Sequence, residues 1–246
     1  MSFTLSVEPR VDADGAKIPV TPAQVDQTMI VIGKRLKGMG TAGFNIARQG
    51  GNGILLPLPG ATQREAVRIR AVLERLAKFE LREVCPRNPE TDAQGKSLPA
   101  RVKEGLEIVP GYRVFDHKHK DADGKVIVEP ILLNRRVALG GSDIALAIPS
   151  QWDANAVSVT LNGPGADKMT ALTANLRPGV DRLAIVLDGQ VVSAPVVQQV
   201  PLGKDFIIEG LNEPGEAETL ANALMNPLEF PLKIDEMRTI LPKKNK

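Results

Sequence analysis

Ala184-Ile-Val-Leu-Asp-Gly-Gln-Val-Val-Ser-Ala-Pro195 decides the reading of this chain. Its apolar run stops at Asp188-Gly189 and resumes at once, the pattern of two strands joined by a two-residue turn. A primed turn of that kind needs positive φ, which glycine adopts freely and aspartate tolerates. Downstream, 206–210 reads as a short strand, 214–225 as a helix and 228–234 as a last strand. Upstream, 144–148 and 157–161 read as strands and 166–176 as a helix. Helices thus alternate with strand pairs, which predicts an α/β sandwich over 137–232.

The N-terminal part shows the same alternation. Residues 3–7 alternate apolar and polar side chains, as a half-buried strand does. Thr21-Pro-Ala-Gln24 is a helix start, with a hydroxyl cap, proline at the first helical position and glutamine at the capping-box position. Val25, Met29, Ile32, Leu36 and Met39 share one face of that helix, and Gly38 and Gly40 end it. Strands over 44–47 and 54–58 flank the turn Gln49-Gly-Gly-Asn-Gly53. Thr62-Gln-Arg-Glu65 opens a second helix with Ala66, Ile69, Leu73 and Leu76 as its stripe, and 78–84 reads as a fourth strand. The order βαββαβ predicts a ferredoxin-like sandwich. The predicted fold class is α+β with two subdomains, ferredoxin-like over 1–85 and an α/β sandwich over 137–232. Residues 86–136, rich in proline, glycine and charge, read as a connection carrying an extra hairpin, with strands over 112–118 and 125–132. Residues 233–246 read as a C-terminal tail.

Bulk properties exclude several classes. The 246 residues carry 31 Lys and Arg against 29 Asp and Glu, a net charge of +2, so there is no basic footprint for nucleic acid. Cys85 is the one cysteine, which rules out an intramolecular disulfide. No apolar run reaches the ~20 residues of a spanning helix, so the chain as given reads as soluble.

The clusters that could carry chemistry have simpler explanations. Asp116-His-Lys-His-Lys-Asp-Ala-Asp-Gly124 places His117 and His119 on one strand face near Asp121 and Asp123, yet interleaved lysines oppose a cation. An exposed hairpin fits better. A calcium loop fails because no acidic residue stands twelfth from Asp12 or Asp121. Gly50-Gly-Asn-Gly53 joins strand to strand, so it lacks the helix N-terminus of a phosphate loop. Glu216 and Glu218 suit the first turn of a helix through its dipole. No serine or cysteine nucleophile has a base beside it. The expectation is a protein with no catalytic residue, no metal and no cofactor.

Several segments resemble the SecD family of protein-export membrane proteins, in its first periplasmic domain. Ile32-Gly-Lys-Arg-Leu-Lys-Gly-Met-Gly40 is similar to a family helix end, with Arg35 and Gly40 at matching places. The stretch ending Leu58-Pro59-Gly60 is similar to a second motif, and Ala77-Lys-Phe-Glu-Leu81 and Leu139-Gly-Gly-Ser-Asp-Ile144, with Gly141, to two more. Leu187, Asp188, Gly189 and Pro195 of the hairpin, then Glu216 and Ala217, follow in family order. The resemblance departs at both ends, where the family's segments next to its membrane helices are absent, which implies either an excised periplasmic loop, the favoured reading, or a free-standing soluble relative.

The resemblance implies a non-enzymatic, extracytoplasmic module on the periplasmic face of the bacterial inner membrane. It implies binding of unfolded preprotein in late steps of export, with SecF and SecYEG as partners and membrane contact only through segments outside this chain. It further implies a base, here 1–85, and a head, here 137–232, that swings about a hinge near Cys85, Pro86, Pro231 and Lys233. The alternative from a different class is a soluble ferredoxin-like ligand-binding or regulatory module, because that superfold hosts many functions. A third is a hydrolase or metal-dependent enzyme using His117, His119, Asp121 and Asp123.

Overall fold

The computed structural model describes residues 1–11, 16–120, 125–209, 211 and 215–238. In chain order the elements begin β1 (Ser2–Val7), β2 (Arg10–Val11), β3 (Lys17–Ile18), α1 (Pro22–Gly38), β4 (Ala47–Gln49), β5 (Gly53–Pro57) and α2 (Gln63–Glu74). Next come β6 (Phe79–Glu83), α3 (Leu98–Lys103), β7 (Tyr112–Lys120), β8 (Val126–Asn134), β9 (Leu139–Gly140), a 3-10 turn over Gly141–Asp143, β10 (Ile144–Pro149) and β11 (Val157–Leu161). The last are α4 (Gly163–Thr173), β12 (Leu183–Leu187), β13 (Gln190–Ser193), β14 (Asp205–Ile208), α5 (Glu216–Met225) and β15 (Leu232–Arg238). The chain divides into two units: Met1–Ala77 with the segment from Asn226 onward, and Lys78–Met225.

In the first unit, local chemistry starts both helices where the sequence predicts. Thr21 N donates to Gln24 Oε1 at 2.7 Å while Gln24 N donates to Thr21 Oγ1 at 3.4 Å. Thr62 and Glu65 repeat the reciprocal pair at 2.7 and 3.3 Å. The sheet runs β15-β1-β5-β4, all antiparallel, with β5 between β1 and β4. Phe3, Leu5 and Val7 of β1 and Ile54 and Leu56 of β5 are buried with Val25, Ile32 and Leu36 of α1 and Ile69 and Leu73 of α2. Full burial of such a side chain contributes about 1.5–3 kcal/mol. The β4–β5 turn requires glycine at position 53, where a Cβ would lie 2.2 Å from Gln49 O.

The expected fourth strand of this unit is elsewhere. β6 belongs to the second unit, between β12 and β9, and β15 takes the place beside β1, pairing Leu5 with Ile234 and Val7 with Leu232. The reason is burial: Phe79, Glu80, Leu81 and Arg82 are all buried, which a strand achieves with neighbours on both edges and cover on both faces. An apolar run identifies a strand without naming its partner. For the same reason 233–246 is not simply a tail, since Lys233 to Arg238 lie in β15.

The second unit has a six-stranded sheet in the order β8-β7-β13-β12-β6-β9 and a three-stranded sheet β10-β11-β14. β12 and β13 form the hairpin read from Ala184 to Pro195, with Asp188 at φ 51° and Gly189 at φ 82°. Residues 86–136 carry the expected hairpin, but it is built into this sheet rather than set apart in a connection. β7 and β8 pair antiparallel from Tyr112↔Asn134 to Lys120↔Val126, and β7 joins the sheet beside β13 through Val191↔His117. α3 buries Leu98 against Cys85, Val109 and Leu132. The expected turns at Asp12 and Asp121 lie outside the described residues. No helix among the described residues is long and apolar enough to cross a membrane.

Candidate functional site

β10 reads Ile144-Ala-Leu-Ala-Ile-Pro149, which invites the large residues inward. Its centre does the reverse: Ala147 is buried, while Leu146 is 45% and Ile148 40% exposed. The cause is α5, which packs on β10 and β11 with Ala217, Leu220, Ala221, Ala223 and Leu224 buried. Alanine on the covered side lets the helix approach closely, and dispersion contacts reward that approach.

Register assembles the exposed side. Ile148 pairs with Ser158 and Ser158 with Ile207, so these side chains form one row, and Leu146, Thr160 and Asp205 form the next. Ile207 is 45% exposed. Val157, Val159, Leu161 and Ile208 fill the opposite, buried face. At the β10–β11 turn stands Trp152, the chain's one tryptophan, 91% exposed. The turn is held by Ser150 N donating to Ala156 O at 2.8 Å, Trp152 N to Ser150 Oγ at 3.2 Å and Asn155 N to Asp153 Oδ1 at 2.8 Å. Large apolar residues exposed on one sheet face make that face a candidate interaction site. The sequence carried a signal for it: a large aromatic inside Ser150-Gln-Trp-Asp-Ala-Asn155, whose composition is otherwise that of a turn.

The residues singled out from the sequence prove mainly architectural. Arg35 is fully buried and donates to Asn226 O at 2.8 Å, Val72 O at 2.6 Å, Arg75 O at 2.5 Å and Leu76 O at 3.4 Å. A cation at the carbonyl end of α2 suits the helix dipole. Gly40, Pro59 and Gly60 come together around one recess of about 230 Å³ in the first unit. Leu187 and Ala217 are buried, and Pro195 O accepts from Leu183 N at 3.3 Å. Glu216 stands in the first turn of α5. Gly141 opens the 3-10 turn whose Asp143 accepts from Gly140 N at 2.9 Å and Lys168 Nζ at 2.7 Å.

The hinge residues lie within the units. Cys85 is buried in the second, its N–H donating to Leu132 O at 2.9 Å, and Pro86 follows it there. Pro231 and Lys233 sit in the first, where Glu8 N donates to Pro231 O at 2.8 Å and Lys233 pairs with Ser6. The chain crosses between units at Ala77–Lys78 and Met225–Asn226. Main-chain pairing holds Cys85, Pro231 and Lys233 within their units, which the residue types alone did not reveal.

Electrostatics point to structure as well. Burial pushes the Cys85 thiol up, away from the reactive thiolate. Burial alone would also raise Glu80 and Asp143, but Lys78 and Arg82 beside the first, and Lys168 and Gly140 N–H beside the second, hold both carboxyls below their ordinary values. Arg82 bonds Glu80 Oε2 at 2.7–2.8 Å and also donates to Asn134 O at 2.8 Å. His117 pairs across the ladder with Glu129, and among the described residues no three His, Cys, Asp or Glu side chains gather as a metal site.

Comparison with known proteins fits both units. Residues 115–227 match the family model described as "SecDF, P1 head subdomain", and 25–86 match "Protein translocase subunit SecDF, P1 domain, N-terminal". The protein translocase subunit SecDF of Thermus thermophilus is 31% identical over 89% of this chain and 28% of its own length. The protein translocase subunit SecD of Syntrophobacter fumaroxidans is 32% identical over 91% of this chain and 40% of its own length. The chain therefore spans less than half of these relatives. A solved chain from "Structure and function of a membrane component SecDF that enhances protein export" superposes with a TM-score of 0.64 at 26% identity, covering 98% of this chain and 100% of that one. A second, from "Crystal structure of SecDF in Super-membrane-facing form", gives 0.65 at 26% identity, covering 96% of this chain and 29% of that one.

A mixed α/β fold in two units, with matches of this kind along most of its length, is that of a protein-translocase domain. The chain belongs to the SecD/SecDF family and corresponds to its P1 region.

Proposed function

We propose that this chain is the extracytoplasmic part of a SecD-type subunit and binds unfolded preprotein during the late steps of export. The observation that carries the reading is the exposed sheet face with Leu146, Ile148 and Ile207, followed by the exposed Trp152 in the β10–β11 turn, inside the segment that matches the P1 head model. An unfolded chain offers apolar side chains in no fixed sequence, and an open apolar sheet face accepts them without demanding one. In this reading the first unit is a ferredoxin-like base whose fourth strand is β15, and the second unit is the head. Any hinge belongs to the chain crossings Ala77–Lys78 and Met225–Asn226. SecF and SecYEG are its partners at the periplasmic face of the inner membrane, and its work is non-enzymatic.

Trp152 supplies the test. Its emission should be that of a hydrated indole and should shift to shorter wavelength when reduced, carboxymethylated ribonuclease A, which contains no tryptophan, is added. Native ribonuclease A should leave it unchanged. Equal responses to both, or to neither, would refute the reading.

A further inference from the structure

The two edges of the three-stranded sheet differ in a way that selects a binding mode. In an antiparallel ladder, alternate residues turn their N–H and C=O groups toward the partner strand and away from it. On β10, Ser150 N donates to Ala156 O, which sets the phase so that Ala147 and Pro149 face outward. That edge is shut at both: Ala147 N–H is taken by Met225 Sδ at 3.1 Å, and Pro149 has no N–H to offer.

On β14 the phase is set by Leu161 N donating to Lys204 O at 2.8 Å. Lys204, Phe206 and Ile208 therefore face β11, and Asp205 and Ile207 turn their amides outward. β14 is the last strand of this sheet, and among the described residues no backbone partner meets either amide. Phe206 is anchored inward by stacking on Phe79, ring centroids 5.9 Å apart, so the strand is held in place while its edge stays open.

From this contrast we infer that β14 is an acceptor edge for strand addition. An extended segment of unfolded polypeptide pairs with Asp205 and Ile207 and lays alternate apolar side chains beside the row of Ile148 and Ile207. The inference rests on the proposed binding of unfolded preprotein and names how that binding is made. The chemistry fits no smaller ligand: two outward amides two residues apart, roughly 7 Å, repeat at the spacing of another polypeptide. Main-chain pairing supplies affinity that tolerates any sequence, and the apolar row favours segments with alternate apolar residues. β14 is four residues long, between exposed Lys204 and Glu209, and short charged edges resist extended self-pairing.

Amide hydrogen exchange on the full chain, with and without reduced, carboxymethylated ribonuclease A, tests it. The amides of Asp205 and Ile207 should slow by at least about tenfold on adding the probe, while that of Ala147 stays unchanged. Ile207→Pro, which removes one outward N–H, should weaken the probe's effect on Trp152 emission with the near-ultraviolet circular dichroism intact. If that variant fails to fold, the wild-type exchange pattern decides alone. A Trp152 shift without protection at Asp205 and Ile207 overturns strand addition and leaves preprotein binding standing. Neither shift nor protection overturns both. Protection that appears without probe as concentration rises, together with a doubled mass, assigns the edge to a second copy and overturns the inference.

Discussion

Asp188 and Lys78 hold each other through two hydrogen bonds, Lys78 N donating to Asp188 Oδ1 at 2.8 Å and Asp188 N donating to Lys78 O at 3.1 Å. The primed turn of the β12–β13 hairpin thereby grips the first residue of the second unit. Aspartate suits the position twice, since it tolerates φ 51° and carries the acceptor. Asp188→Ala should cost about 1–2 kcal/mol in urea denaturation, and Asp188→Asn should recover most of it. Gly189→Val should cost about 1–3 kcal/mol. Nothing lies within 4 Å of where its Cβ would stand, so that cost is backbone strain. An unchanged midpoint for Gly189→Val would contradict the turn.

Arg35 should be the most sensitive buried position of the first unit. Arg35→Met strands carbonyls on Val72, Arg75, Leu76 and Asn226, a loss of about 2–4 kcal/mol. Arg35→Lys should restore only part of it, because one ammonium cannot reach carbonyls that diverge across a guanidinium fork. Urea midpoints of the three proteins would show the order, and a lysine variant as stable as wild type would defeat the argument.

Acid should unfasten the second unit through Asp143. Its carboxyl lies below its ordinary 3.8, because Lys168 and Gly140 N–H outweigh burial. A lowered folded value stabilises the protein above the ordinary one, and that stability is lost as pH falls through the folded value. The stability gap between wild type and Asp143→Asn should therefore be constant near neutrality and shrink below about pH 4. A gap that widens in acid would reverse the sign and reject the assignment.

Polar substitutions on the exposed sheet face should separate binding from stability. Leu146→Ser and Ile148→Ser, at positions already half in water, should change the unfolding free energy by no more than about 0.5 kcal/mol. Each should still weaken binding of the carboxymethylated ribonuclease A probe by roughly threefold to tenfold, the equivalent of about 1 kcal/mol of apolar contact. Titration followed by Trp152 emission measures the second effect and calorimetry the first.

What the sequence revealed was mostly local. The caps at Thr21 and Thr62 and the turn at Asp188-Gly189 are decided within four residues, and all three stand as read. The errors lie where a distant partner decides. Phe79–Glu83 is a strand in either unit, and only its pairing with β12 and β9 assigns it. Which side of β10 is covered was not read from the sequence at all, because α5, some seventy residues later, makes alanine the better covered residue. Residues 86–136 hid α3 because Ser97-Leu-Pro99 offers a short start amid turn-forming residues. The candidate site was missed for a related reason: exposure is a property of the assembled sheet, and Trp152 alone announced it.

The crossings at Ala77–Lys78 and Met225–Asn226 also impose a timetable. A ribosome makes the chain from the N-terminus, so β1 is synthesised early and β15, which covers its outer edge, emerges only after the whole inserted stretch. The second unit is one unbroken length and can collapse as soon as Met225 is free. The first unit must keep a bare strand edge waiting until then, which makes it the last to close and the part of a nascent chain most in need of protection.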